Sequence, residues 1–542
     1  MKKSIKLTPE EATLRQLFLD ISSYLVTLGD YRKKPELRFA GGWVRDKLLN
    51  LPSKDIDVAI SNMTGSEFGS LMKQYVELPE ARHKYGNNIL GRLAKIEANP
   101  EKSKHLETAT MKVLGFDIDL VNLRKETYTN DSRNPTVEFG TPKEDALRRD
   151  STINALFYNL ETSKVEDFTG RGFQDMKRKV IKTPLAPLQT FKDDPLRVLR
   201  SIRFASRLMY EIDPEDEMAM RDRAIKAALR LKITRDRVRV EILKMLGWPE
   251  PHQSLCFLEG PSPHRALSLI DRLGLYNEVF TDPTIADCKL VDTANWCQTY
   301  NQLRDIIMTG SEGSTSPESF KTIRPILLQN PEDFYHAWIL TCFVPWAREP
   351  PRSPQKSSKR PISAAGLAAR EGIKAENKIY KLVDDAVTHL QDIVEKKNAV
   401  SHEDQTTTLP LKRKQGACAE SQRELQGMAI RKWGPNWRSS AMYALLAEVA
   451  EAKTVTDSRA VLDGYSSWLL QLQSLNLLKA YETPLLVKGD GLMEAFNCKG
   501  GNWLPAALDC VMKWQLRNPD RKDAAGAIAE VLERKEELNI PP

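Results

Sequence analysis

Apolar positions along this chain change from a two-residue to a helical period about a third of the way in. Leu14, Leu17, Phe18, Ile21, Tyr24, Leu25 and Leu28 recur three and four apart, so residues 9–29 read as an amphipathic helix packed on the first domain. Residues 37–40 read as a short strand, Gly41-Gly42 as a tight turn and 43–50 as a short helix. Residues 55–60 alternate: Asp55 and Asp57 share one face of a strand, and Ile56, Val58 and Ile60 share the other. A helix over 65–78 ends near Pro79, and the polar, lysine-rich stretch 86–115 reads as a mobile loop. Alternation returns over 116–123, where Asp117 and Asp119 share a face. Residues 145–158 read as a helix, 167–172 as a turn and 175–181 as a connector. From Asp194 onward the pattern is helical: Asp194 caps a helix over 195–207 that opens on Pro195, and helices follow over 216–231 and 234–246. Later helices are separated by proline-rich breaks, and 349–361 and 401–415 are polar, unpatterned linkers. The expected fold class is α+β, with strand signals confined to roughly the first third of the chain and a helical remainder.

Composition narrows this picture only modestly. The chain has 542 residues, 41% of them hydrophobic and 28% charged, which is enough for three or four core-bearing units. No apolar run approaches a membrane span, so no membrane partner is expected. A net charge of +7 is compatible with a polyanionic partner. Seven cysteines without a C-x-x-C pair point to a reducing compartment and away from a zinc site. Residues 1–11 hold three lysines but no apolar core, so they are no secretory signal and a poor transit peptide.

The polar residues suggest a chemistry. Asp55 and Asp57 follow a Gly-Gly turn closely, and two carboxylates on one strand face repel unless a cation lies between them. Hard oxygen ligands suit Mg²⁺, and a pair of such ions suits phosphoryl transfer. Asp119 on its own strand is a candidate third carboxylate, or a loop-ordering aspartate. Gly41 and Gly42 let a phosphate approach the backbone, and the helix after them aims its free N–H groups at an anion. Arg45 can pair with phosphate oxygens, or form an ion pair within the chain. Asp150 and Asn154 are four apart on the expected helix and could hold a ribose hydroxyl, or simply make a helix-surface pair. Asp194 and Arg197 are three apart at a helix start. A carboxylate accepts from an exocyclic amine and a guanidinium donates to a ring nitrogen, so this pair suits cytosine and adenine and leaves uracil and guanine mismatched. The alternative for Asp194 is a plain N-cap. Arg200, Arg203 and Arg207 support that pair, meet RNA phosphate, or form a solvated basic face. Arg237 and Glu241 read as an i,i+4 brace, and Trp503 and Trp514 as core packing.

Taken in order, GGWVRD (41–46), DIDVAI (55–60), RRDSTINALFYNL (148–160), DFTGRG (167–172), DDPLRVLRSIRFASRL (193–208) and TRDRVRVEI (234–242) resemble the motifs of class II tRNA nucleotidyltransferases, the CCA-adding enzymes. HLETAT (105–110) and VNLRKETY (121–128) look most like fungal members. The resemblance is clear over 36–250 and weaker in the tail. It implies a small mixed-sheet, polymerase-β-like nucleotidyltransferase head followed by an all-helical neck, body and tail. The expected partition is an N-terminal helix at 1–30, head at 31–170, neck at 171–260, body at 261–400 and tRNA-binding tail at 401–542. It further implies template-independent addition of C, C and A to tRNA from CTP and ATP, with two Mg²⁺ ions and release of pyrophosphate. Asp55 and Asp57 would then be catalytic metal ligands, and Gly41, Gly42, Arg45 and Asp46 would serve the triphosphate. Asp150 and Asn154 would sit at the ribose, and Asp194 and Arg197, with Arg200 beside them, would read the base. Arg203 and Arg207 would meet RNA, and 86–115 would be the element that helps switch from C to A. Asp193 stands where many bacterial members have Glu, a change that fungal members share. No stable protein partner is expected, and cytoplasm, nucleus and mitochondrion all fit. The alternatives are a poly(A) polymerase of the same superfamily and a catalytically inactive RNA-binding protein.

Overall fold

The computed structural model describes residues 4–28, 34–53, 55–91, 94–96, 108–129, 132–247, 262–283, 291–310, 316–350, 361–405 and 415–541. They form two compact units, the first running to Gly247 and taking in 262–279, the second beginning at Phe280.

The first unit opens with α1 (Pro9–Thr27), started by a capping box in which Thr8 and Glu11 bond reciprocally. Its apolar stripe, Leu14, Leu17, Phe18, Ile21 and Leu25, is buried. Then come β1 (Leu37–Ala40), α2 (Gly42–Leu48), β2 (Asp55–Ile60), α3 (Gly65–Val76) and α4 (Pro79–Tyr85). After these follow β3 (Ala94–Ile96), β4 (Thr108–Val113), β5 (Phe116–Asn122), β6 (Arg124–Thr129) and β7 (Ser132–Phe139). Next are α5 (Pro142–Leu147), β8 (Leu156–Asn159), β9 (Val165–Asp167), α6 (Gly172–Arg178), β10 (Val180–Ile181), α7 (Pro187–Asp193) and α8 (Leu196–Leu208). The unit closes with β11 (Glu211–Ile212), α9 (Pro214–Met220), α10 (Arg223–Lys232), α11 (Arg235–Leu246) and α12 (Pro263–Arg272). A seven-stranded sheet in the order β3-β4-β5-β2-β1-β8-β9 carries the head. Its β2–β5 pair is parallel and its other ladders antiparallel, so the sheet is mixed, as expected.

Several sequence expectations need correction. Residues 145–158 are not one helix: α5 stops at Leu147, a 3₁₀ turn spans Thr152–Asn154, and β8 follows. All four β8 residues are buried between β1 and β9, and a strand covered on both faces shows no alternation to distinguish it from a helix. The 86–115 stretch is not wholly a loop, since β3 and β4 pair within it; 92–93 and 97–107 lie outside the described residues. The β6–β7 hairpin, α6 and α7 had no expected counterpart. The segment after the head is not all-helical either, because β10 and β11 pair in parallel. The helix expected over 216–231 breaks at Asp222, whose carboxylate caps α10 by accepting from Ala224 and Ile225.

In the second unit every regular element among the described residues is helical. A helix runs from Asn377 to Gln405, into the expected 401–415 linker, and another starts at Gln415; 406–414 and 351–360 lie outside the described residues. Trp503 and Trp514 are buried in a cluster with Leu492, Val511, Ala527 and Val531, as the packing reading expected. Among the described residues no helix is long and apolar enough to cross a membrane.

One buried acid in the first unit gives a pH test. Asp216 on α9 is fully buried and accepts from the Thr183 amide (2.8 Å) and hydroxyl (3.3 Å), tying the segment after β10 to α9. Burial pushes its carboxyl up to about 7. The folded state therefore holds this proton more tightly than the unfolded chain. The contribution is full below the unfolded pKa of about 3.9 and is lost as pH rises through about 7, roughly 2–4 kcal/mol in all. Urea unfolding at pH 5 and pH 8 should show this loss in the wild type and a smaller one in Asp216→Asn; equal losses would contradict it.

Candidate active site

The site grows from the register of two strands. In the parallel β2–β5 pair, Asp55 lies opposite Asp117 and Asp57 opposite Asp119. In-register neighbours on parallel strands share a face, so four carboxylates project from one side of the sheet. The other side is apolar: Ile56, Val58, Ile60, Ile118 and Leu120 are all buried. Asp55 and Asp117 are exposed, whereas Asp57 and Asp119 are half-buried. The Thr110 hydroxyl donates to Asp119 (2.6 Å), and Lys112 pairs with Asp117 (3.3 Å). Burial pushes the Asp57 carboxyl up, Asp119 and Asp55 add to that, and Arg149 and Arg200 oppose it. This all-oxygen, charge-crowded set fits a hard divalent cation, which would offset both the burial of Asp57 and the repulsion its neighbours add. Among the described residues no three or more His, Cys, Asp or Glu side chains are gathered closely enough to hold a metal ion by themselves.

The glycine turn lies against these carboxylates. Gly41 has φ +68° and ψ −131°, a region in practice reserved for glycine. A Cβ there would lie 2.9 Å from Arg149 Nη1 and 3.2 Å from Asp57 Oδ2. Arg149, to which the sequence reading gave no role, is thus an immediate neighbour of the carboxylate pair. Asp145 accepts from its Nε (3.1 Å) and Nη2 (3.0 Å), and its guanidinium lies over Phe157.

Behind the turn runs a chain of alternating charges. Arg45 on α2 is buried and donates to Asp46 (2.8 Å) and to the Asn154 side-chain Oδ1 (2.6 Å), so an ion pair within the chain, as weighed from the sequence, does form, with Asp46 as its partner. Asn154 in turn donates to Asp150 (3.0 Å), and Arg200 on α8 donates to the other Asp150 oxygen (2.6 Å). Against burial, which raises it, Arg200 and the Asn154 amide hold the Asp150 carboxyl well below the usual range. Asp150 and Asn154 therefore do meet, but through the 3₁₀ turn rather than on a helix face. Arg207 lies 3.6 Å from Asp46, and Arg203 pairs with Glu241 (2.6 Å), so both candidate RNA contacts carry ion pairs in this state.

Asp194 and Arg197 each meet a charge from elsewhere in the chain. Asp194 accepts from the Leu196 amide (3.2 Å), keeping part of the capping role, and from Arg237 (2.9 Å). Arg197 is buried near Glu126 on β6 (3.7 Å), and Glu126 also pairs with Arg124 (2.8 Å) and Arg148 (3.1 Å). The Arg237–Glu241 brace is likewise corrected: Arg237 goes to Asp194, and Glu241 takes Arg203 and, at 3.8 Å, Arg200. Glu126 went unassigned and Arg237 was given a nearer partner because their true partners are distant in sequence, and helical spacing shows only neighbours three or four apart.

The family model described as "Poly A polymerase head domain" matches residues 37–182. The chain is 41% identical to Nucleotidyltransferase lcsQ of Purpureocillium lilacinum, over 99% of this chain and 94% of that protein. It is 35% identical to the mitochondrial CCA tRNA nucleotidyltransferase of Saccharomyces cerevisiae, over 91% of this chain and 88% of that protein. Its fold is similar to that of the Thermotoga maritima CCA-adding enzyme complexed with tRNA, with a TM-score of 0.58 and 18% identity over 97% of this chain and 96% of that one.

The two glycines should respond differently to substitution. Gly41→Ala meets both strain and collision and should lower the urea-unfolding free energy by about 2–4 kcal/mol. Gly42→Ala adds a Cβ at a helical position, with an ordinary 3.6 Å contact to Arg45, and should change it by less than about 1 kcal/mol. Equal losses in the two variants would contradict this geometry.

Proposed function

The chain belongs to the tRNA nucleotidyltransferase family, and from that premise we propose that it is a CCA-adding enzyme, building C, C and A onto the 3′ end of tRNA from CTP and ATP. The observation that carries the transfer chemistry is the register that collects Asp55, Asp57 and Asp119 beside the Gly41 turn. The tRNA 3′ hydroxyl attacks the α-phosphorus of the bound nucleotide, and pyrophosphate leaves. Nucleotidyltransferases use divalent metal ions; here Asp55 and Asp57, with Asp119 as a third ligand, would hold two Mg²⁺. When bound, these ions supply an acidified attacking hydroxyl and charge neutralisation at the phosphates.

The chain's own residues supply binding and selection. Gly41 and Gly42 allow the triphosphate close to the backbone, and Arg45 turns from Asp46 to phosphate oxygens of greater charge. Asp150 and Asn154, already joined to each other, receive the ribose. Asp194 and Arg197 read the base, each held by a separate counter-charge, Arg237 and Glu126. Cytosine and adenine satisfy that pair; uracil and guanine leave buried polar groups unpaired at about 1–3 kcal/mol each. Arg200 bridges Asp150 and the base-reading helix, and Arg203 and Arg207 lie toward the RNA. Contacts to tRNA are chiefly to phosphate and shape, because every tRNA must be accepted. In the five-part division, the head transfers, the neck selects, and the body and tail hold tRNA.

Purified protein, tRNA lacking its terminal CCA and single labelled nucleotides test this reading. CTP alone should add two residues, ATP should then add one, and Asp55→Ala or Asp57→Ala should reduce incorporation to background. Growth of an ATP homopolymer would favour the poly(A) reading, and full activity in Asp57→Ala would remove the carboxylates from catalysis. Arg197→Ala should lower discrimination against UTP by about tenfold or more; unchanged discrimination would contradict base reading by hydrogen bonds.

A further inference from the structure

Three guanidiniums converge on a single aromatic ring behind the nucleotide site. Phe204 on α8 is buried, with Arg203 Cζ 4.3 Å, Arg45 Cζ 5.4 Å and Arg200 Cζ 5.4 Å from its ring centroid. Arg200 and Phe204 are four apart on α8 and so share a face. Arg45 reaches the same ring from α2, directly after the glycine turn. Each guanidinium also has its own acid: Asp46 for Arg45, Asp150 for Arg200 and Glu241 for Arg203.

We propose that Phe204 is a positioning residue for nucleotide binding, its ring holding Arg45 and Arg200 at the spacing in which they meet the triphosphate. This rests on the nucleotide-transfer reading above. A triphosphate competes with Asp46 and Asp150 for the same N–H donors. The ring does not compete, because it offers no hydrogen-bond acceptor in the guanidinium plane. An arginine lying over a ring face keeps its N–H edges free while the ring quadrupole attracts its charge. The acids can therefore release their arginines to phosphate without the arginines losing their place. Three like charges this close repel, and an aliphatic side chain of similar volume would fill the space without attracting them.

The full-length protein tests this through CTP affinity and steady-state kinetics in Phe204→Leu. A second series places 4-fluoro-, 3,5-difluoro- and 3,4,5-trifluorophenylalanine at position 204. Fluorination drains the ring face of negative charge while keeping its shape and apolar character. We expect Phe204→Leu to raise Kd for CTP, and KM for CTP and ATP, by about tenfold with kcat within about twofold. We expect Kd and KM to climb stepwise across the fluorinated series at an unchanged thermal midpoint. A flat fluorinated series would overturn the proposal whatever Phe204→Leu does, since a merely structural ring tolerates the substitution. The wild type separates the two readings. If it transfers CTP and ATP while the series is flat, the role of Phe204 fails and the function stands. If it transfers neither, the function fails and the proposal falls with it.

Discussion

The structure of the site depends on one pairing, the in-register parallel alignment of β2 with β5. Without it, Asp55 and Asp57 are one short Asp-x-Asp pair; with it, they share a face with Asp117 and Asp119. Such crowding is unfavourable for folding: burial chiefly pushes the Asp57 carboxyl up, and Asp119 and Asp55 add to the push. The same strands offset it by burying Ile56, Val58, Ile60, Ile118 and Leu120 on the opposite face. Slipping the register by one residue would turn every carboxylate into the core and every aliphatic side chain out, so the apolar face enforces the acidic one.

Around this crowded face the fold sets arginines, each already matched to an acid. Arg149 is shared between Asp145 and the neighbourhood of Asp57, while Arg45, Asn154, Asp150 and Arg200 form a continuous polar chain. Buried ion pairs of this kind are a weak source of net stability, because desolvation cancels much of their attraction. What they would provide, on the proposed reading, is a set of guanidiniums in place before the nucleotide arrives, at a cost met during folding rather than at binding. On the proposed reading, an incoming triphosphate would exchange with carboxylates instead of having to order free side chains.

The sequence made the parts with one buried face legible. The aliphatic alternation around Asp55 and Asp57, and again around Asp117 and Asp119, located both strands and the shared facing of their acids. The apolar stripe from Leu14 to Leu25 located α1. Legibility failed where both faces are covered: β8 lies inside the sheet, and its continuous apolar run reads equally well as helix. It failed again where partners come from far along the chain. Asp194 meets Arg237 and Arg197 meets Glu126, contacts that helical spacing does not show. Arg45 over Phe204 is likewise a contact between α2 and α8 that no local period encodes.

The transfer chemistry requires that the paired strands assemble a cation site. Manganese is a paramagnetic stand-in for magnesium, and its free-ion resonance disappears on binding. Titrating the nucleotide-free protein with Mn²⁺, as wild type and as Asp57→Asn, compares uptake at this face directly. Asp57→Asn should leave at least one equivalent of Mn²⁺ free that the wild type sequesters, with the same far-UV circular dichroism. Equal uptake by the two proteins would contradict the claim that this register builds the metal-binding centre.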